Sequence, residues 1–311
     1  MTLASLIRFG FGAAAIAAIA VASHAQPAPK PPGKQPAQPK EAPAPTAKIE
    51  TAAELLDALE ASDATLRTFQ SHVVYDKRFE LQGDQHIRTG HLYFSSEPGE
   101  DPDRPRRCFA VSFDTLQLDG VTRPERQALI FDGEWLVEVR ESEKQWVARR
   151  LAPPGAPIDP LRVGEGPLPI PFGQPSAEIL ARFDAELLDA EEGIAWEELG
   201  ATNYGTYVTG AWQLLLTPME GTTEAEKFRE IRLWYAADGA GRILPRLAFT
   251  IDRKGDQSFV QLVGAKVNAP LPAGVIDMTE PDISEGWTVQ REFGRFDDAP
   301  VEPDARAPEE E

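Results

Sequence analysis

The chain has 311 residues, a formal net charge of −19 and a single cysteine, Cys108. An excess of acid on this scale repels phosphate backbones, which excludes nucleic acid as the natural partner. With one thiol there is no intramolecular disulfide to brace the fold, so burial alone has to hold it.

Arg8, the apolar run Phe9 to Ala22 and the small-x-small triplet Ser23-His24-Ala25 read as a cleaved export signal over residues 1–25. The run of 14 residues falls short of the ~20 that a bilayer span needs. No cysteine lies near the cleavage site for lipid attachment. The expectation is a soluble periplasmic protein beginning near Gln26. Residues 26–48 hold eight prolines, four lysines and one glutamate, the composition of an extended tether without a core. At the other end, residues 291–311 read as an acidic, disordered tail. With +1 on the signal, +3 on the tether and −6 on the last sixteen residues, residues 49–295 carry −17. One domain over 49–290 accounts for the remainder.

Thr51 and Glu54 fit a capping box, and Leu55, Leu56, Leu59 and Leu66 follow as the dry stripe of a helix. From Ser71 the period becomes two: Val73, Tyr75, Phe79 and Leu81 point one way, His72, Asp76, Arg78 and Glu80 the other. A turn at Gly83-Asp84 with Gln82 opposite Gln85 pairs Val73 with Phe94 and Tyr75 with Leu92, and sets Asp76 beside His91. After a loop at Glu97 to Arg106, Phe109, Val111 and Phe113 mark another strand, and Thr115 to Arg126 reads as a polar loop. Asp132-Gly133 between alternating apolar segments signals a two-residue hairpin with Ala128, Ile130, Trp135, Val137 and Val139 on one face. A third strand returns through Trp146 and Val147. Pro153 to Pro175, with eight prolines and four glycines, reads as a surface excursion. Ser176 then caps a second helix carrying Ile179, Leu180, Phe183, Leu187 and Leu188. Strands resume at Trp212, Leu214 and Leu216, at Ile231, Leu233 and Tyr235, at Leu247, Phe249 and Ile251, and at Phe259 to Val267, with Pro245 marking an edge or bulge. The fold class is mainly β (α+β): a single antiparallel, unclosed β-barrel of about ten strands covered by two or more helices.

No familiar catalytic motif is present: no H-E-x-x-H, no G-x-S-x-G, no phosphate loop and no dinucleotide fingerprint. Four histidines, one of them in the signal, argue against a transition-metal site, and no cofactor is implied. A Cys108 thiol with His72, His86 or His91 as base is outweighed by a packed strand cysteine. Asp76 with His91 is more plainly a surface ion pair than a catalytic pair. The reading is therefore of a binding protein without enzymatic activity. A sheet this large with few helices leaves part of an apolar surface for a guest that is not protein.

The order of elements resembles the LolA-like family of periplasmic lipoprotein carriers. The likeness rests on Leu66-Arg67-Thr68-Phe69 closing a helix, Gly90-His91-Leu92-Tyr93-Phe94, and Ile130-Phe131-Asp132-Gly133-Glu134-Trp135-Leu136. It continues through Pro171-Phe172, Leu214-Leu215-Leu216-Thr217-Pro218, Ile231 to Tyr235, Val267-Asn268 and Ile276-Asp277-Met278. The resemblance implies a monomeric carrier whose cavity holds the acyl chains of lipoproteins or lipids in transit to the outer membrane. An inner-membrane release complex and an outer-membrane acceptor are the further partners it implies. One 16-carbon chain offers roughly 12 kcal/mol at ~0.8 kcal/mol per CH₂, so lid helices must compete with cargo for release to occur. The family latches its lid through an arginine before a proline; here that position reads Ser96-Glu97-Pro98, and Arg104-Pro105 is the candidate replacement. An RseB-like envelope-stress sensor on the same scaffold is the alternative. Alternation places Val73, Tyr75, Leu92, Phe94, Phe109, Val111, Ile130, Trp135, Val137, Leu214 and Leu233 on the cavity face, with Leu59 and Phe183 on the covering helices.

Overall fold

The computed structural model describes residues 48–98, 105–151, 163 and 174–293. Every described residue belongs to one compact unit, within Pro43–Glu311. The export signal, all of the tether but Lys48, the candidate latch Arg104, most of 153–175 and the tail beyond Phe293 lie outside the described residues. No described helix is long and apolar enough to cross a membrane.

The capping box forms as read. Thr51 Oγ1 accepts from the Glu54 N–H at 3.2 Å and Glu54 Oε2 accepts from the Thr51 N–H at 3.0 Å, which starts α1 (Ala52–Asp63). The strands are β1 (Thr68–Arg78), β2 (Gln85–Glu97), β3 (Arg106–Leu118), β4 (Val121–Phe131), β5 (Trp135–Arg140), β6 (Gln145–Arg150), β7 (Phe183–Leu188), β8 (Trp212–Pro218), β9 (Phe228–Ala237), β10 (Ile243–Asp252), β11 (Gln257–Val267) and β12 (Thr288–Glu292). Three short helices intervene: α2 (Ser176–Leu180), α3 (Thr202–Val208) and α4 (Thr223–Lys227). All twelve strands join one sheet in the order β12-β6-β5-β4-β3-β2-β1-β11-β10-β9-β8-β7. The end strands β12 and β7 do not pair, so the sheet is unclosed. Every pairing is antiparallel except β12 with β6, a parallel edge strand in a stretch where charge suggests that the tail begins.

Four local expectations change. The first hairpin is offset by four residues: Arg78 pairs with Gln85, Val73 with Gly90 and Phe69 with Phe94. An even offset preserves the faces, so the apolar side is as read, but His91 now lies opposite His72 and not beside Asp76. The residues read as a loop at Thr115 to Arg126 instead form the hairpin between β3 and β4. Its turn is Asp119-Gly120, both at positive φ (50° and 76°), which is the type I′ requirement. At the Asp132-Gly133 site only Gly133 takes positive φ, and the turn residues are Gly133-Glu134, with Asp132 Oδ1 accepting from the N–H groups of Glu134 and Trp135 at 2.9 Å. Finally, the helix read from Ser176 ends at Leu180. Phe183, Leu187 and Leu188 belong to β7, so Phe183 lies on the sheet. The bulge expected at Pro245 is present, as a register shift between Pro245 and Leu247.

The sheet is dry on both sides, in different places. One face carries the principal core across β1–β5 and β7–β11, from Phe131 and Phe109 through Leu92, Val73 and Val260 to Leu233, Leu214 and Phe183. Helices α1 and α2 cover it. On the opposite face, α3 and the turns before it pack Ala201, Tyr204 and Val208 on Trp234, Phe249 and Phe259. A smaller cluster on that side joins Val137, Trp146 and Ala148 to Met278, Trp287 and Val289.

Candidate functional site

The principal apolar face arises because ten strands each turn their alternate residues to one side. Its described helical cover is slight: the 12 residues of α1 and the five of α2. Leu55 and Leu56 of α1 are 0% and 2% exposed, so the lid fills part of the face with its own side chains. The two helices hold each other. Glu60 Oε2 accepts from the Ser176 N–H at 2.9 Å, and Asp57 Oδ1 accepts from the Ser176 hydroxyl at 2.8 Å.

Below the C-terminal end of α1 a cleft of about 260 Å³ opens between the lid and strands β2 and β3. Leu66 and Phe94 are its apolar wall, and Glu60, Asp63, Arg67 and Arg107 line it with charge. Arg182, the residue before β7, is held in a buried ion pair. Arg182 contacts Glu224, and it also donates to the carbonyls of Val163 at 3.1 Å and Glu178 at 3.1 Å. Burial opposes charge on Glu224, but Arg182 together with backbone and hydroxyl donors outweighs it and holds the carboxyl below its ordinary value.

The structure brings ten of the predicted cavity residues to this face: Leu59, Val73, Tyr75, Leu92, Phe94, Phe109, Val111, Phe183, Leu214 and Leu233. Leu59 and Tyr75 are partly buried there and the others are core. Phe94 also reaches the cleft wall. Ile130, Trp135 and Val137 are on the opposite face: Ile130 pairs with Ala110 and Val137, while Phe109 pairs with Phe131. The reason is a β-bulge. From the Asp119-Gly120 turn an unbroken ladder would set Ile130 opposite Phe109. Between Thr115/Pro124 and Phe113/Gln127, however, β4 takes one residue more than β3, so Phe131 comes opposite Phe109 and Ile130 opposite Ala110. Phe131 and Leu136 take the predicted places on the inner face. The predicted cavity set leaves out Leu55, Leu56 and Tyr235, although the helical stripe and the strand alternation already contain them.

Asp76 is only 1% exposed and lies under α3, away from His91. It accepts from Arg78 at 2.9 Å, Gln85 at 2.9 Å and the Tyr204 hydroxyl at 3.2 Å, an arrangement that leaves a carboxylate clamped rather than poised for proton transfer. His91 faces Asp114 at 3.7 Å in an exposed pair. Cys108 is 6% exposed, its thiol donates to the Asp132 carbonyl at 3.2 Å, and burial pushes its pKa up, the reverse of what a nucleophile needs. Among the described residues no group of three or more His, Cys, Asp or Glu is placed to hold a metal ion. What the arrangement offers is a broad apolar surface beneath a small, separately latched lid.

No family model matches the chain. No curated protein matches it. Among solved structures it is similar to an uncharacterized conserved protein from Thermus thermophilus, 14% identical over 78% of this chain and 99% of that one, with a TM-score of 0.38. It is also similar to a putative outer membrane lipoprotein-sorting protein domain from Vibrio parahaemolyticus, 10% identical over 73% and 96% of the two chains, TM-score 0.37. A third is the LolA superfamily protein NE2245 from Nitrosomonas europaea, 14% identical over 75% and 99%, TM-score 0.30.

Proposed function

We propose that this chain is a periplasmic carrier that binds the acyl chains of lipoproteins or lipids on its principal apolar face, in the place that α1 occupies when no cargo is bound. The observation that carries this reading is the mismatch between a dry face running over ten strands and a described helical lid of 12 and five residues, with a cleft opening at the lid's end. Burying an acyl chain gains ~0.8 kcal/mol per CH₂, so a 16-carbon chain supplies far more than displacing two leucines costs, at about 1.5–3 kcal/mol each. Because Leu55 and Leu56 already fill the face, cargo and lid compete, and the net affinity stays low enough for transfer. The export signal over 1–25 and the tether over 26–48 belong to the same reading, as the segments that would deliver the domain to the periplasm and extend its reach.

The test is displacement of a fluorescent fatty acid by a diacylated lipopeptide, with mass spectrometry of lipids that co-purify from the periplasm. Saturable displacement and a co-purifying acyl lipid are expected. Absence of both would end the carrier reading.

A further inference from the structure

Tyr235 of β9 is 1% exposed, and its hydroxyl has no hydrogen-bond partner among the described residues. Its cross-strand neighbours are Trp212 on β8 and Pro245 on β10, and its side chain belongs to the same core as Leu55 and Leu56 of the lid. Proline and apolar side chains offer the phenol no side-chain acceptor. Burial, with Asp63 nearby, pushes its pKa up, so the group remains a protonated donor. Asp63 ends α1 and also lines the cleft. The Ser62 hydroxyl donates to the Ile243 carbonyl at 3.5 Å, locating the lid's last turn over the start of β10, beside β9. Leaving a buried hydroxyl unpaired costs about 1–3 kcal/mol, and Phe would fill the same space without that cost.

From the buried hydroxyl without a partner and its place in the core that Leu55 and Leu56 of the lid share, we infer that Tyr235 is the polar anchor of the acyl site, donating its O–H to the carbonyl oxygen of an ester- or amide-linked chain once α1 has moved off. The inference rests on the carrier reading and narrows it to carbonyl-bearing acyl ligands over plain hydrocarbon. An ester carbonyl accepts one hydrogen bond without bringing a charge into the core, which suits a site where a free carboxylate would suffer desolvation.

The Tyr235→Phe variant removes the oxygen alone. A fluorescent fatty acid bound to the full chain is displaced with methyl myristate and, separately, with tetradecane. The expected result is a loss of about tenfold in apparent affinity for methyl myristate with tetradecane unchanged. Equal losses for both ligands, or no loss for either, would overturn the assignment while leaving the carrier reading in place. If the wild-type chain binds neither ligand, the carrier reading fails and this inference falls with it. Thermal unfolding without ligand gives an independent check. Removing an unpaired buried hydroxyl leaves Tm unchanged or raised, whereas a drop of several degrees would mean that the hydroxyl already has a partner in the empty protein, and would refute the anchor.

Discussion

The hydroxyl of Ser176, the first residue of α2, donates to the Asp57 carboxylate on α1 at 2.8 Å, while Glu60 one turn later accepts from the Ser176 backbone N–H. Two acids of one lid helix thereby supply the cap that the other lacks, since Pro175 before it has no side-chain donor or acceptor. The lid is a two-helix unit tied by exposed hydrogen bonds.

Weakening this tie should therefore show more in binding than in stability. The double variant Asp57→Asn/Glu60→Gln is expected to lose no more than about 1 kcal/mol, as exposed charged contacts do. Its affinity for a fluorescent fatty acid should rise, because the competing lid is held less firmly. Chemical denaturation and probe titration on the same samples measure both. Unchanged or weaker probe binding would contradict a role for the tie in holding the lid closed.

The Arg182–Glu224 pair is the opposite case, a buried contact whose loss leaves a charge without a partner. Glu224→Gln should destabilise the protein by about 3 kcal/mol or more at neutral pH. The folded carboxyl titrates below its unfolded value of about 4.3, so its contribution is whole above that pH and is lost as the pH falls through the folded value. The stability gap between wild type and variant should accordingly narrow on acidification. Denaturant midpoints at neutral and acid pH test this, and a constant gap would count against the pair as the source.

On the other side of the sheet, Tyr204 ties α3 to the buried Asp76 at 3.2 Å. Tyr204→Phe should cost about 1.5–3 kcal/mol, the range for a hydrogen bond to a charged group. Because α3 is on the face away from the lid, acyl-probe affinity should not change. Thermal unfolding and the probe assay separate the two effects.

Gly90 sits where β2 and β3 shift register, and a Cβ built there would lie 1.9 Å from the Ser112 carbonyl oxygen. Backbone cannot yield as a flexible side chain can, so Gly90→Ala should lose about 2 kcal/mol or more. Gly83, in the turn of the first hairpin, has open space around its Cβ position but a φ of 72°. Gly83→Ala should lose only about 1 kcal/mol, the cost of left-handed backbone. Equal losses at the two positions would mean that crowding at Gly90 is not the cause.

How much of the fold and site is legible in the chain depends on the range over which each signal acts. The capping box at Thr51, the period-two strands and the bulge at Pro245 are decided by a few neighbouring residues, and they can be read without coordinates. So can the apolar side of the first hairpin, because an error of four residues in pairing does not change which way a side chain points. The segment from Ser176 misleads because Ile179, Leu180, Phe183 and Leu187 suit a helical stripe, yet Phe183 to Leu188 gain more by pairing with β8.

Sequence by itself determined the class of the fold, the dryness of its strands and the absence of a disulfide, since composition and alternation are local properties. Tertiary structure alone decided which dry surface is which. Apolar residues line both sides of β4 and β5, and one extra residue in β4 sends Ile130, Trp135 and Val137 away from Phe109. It also decided that Asp76 meets Tyr204 rather than His91, and that the Tyr235 hydroxyl lies beneath the lid without a partner among the described residues. Each of those outcomes is set by pairing between distant segments, where a shift of a single residue exchanges the faces of a sheet.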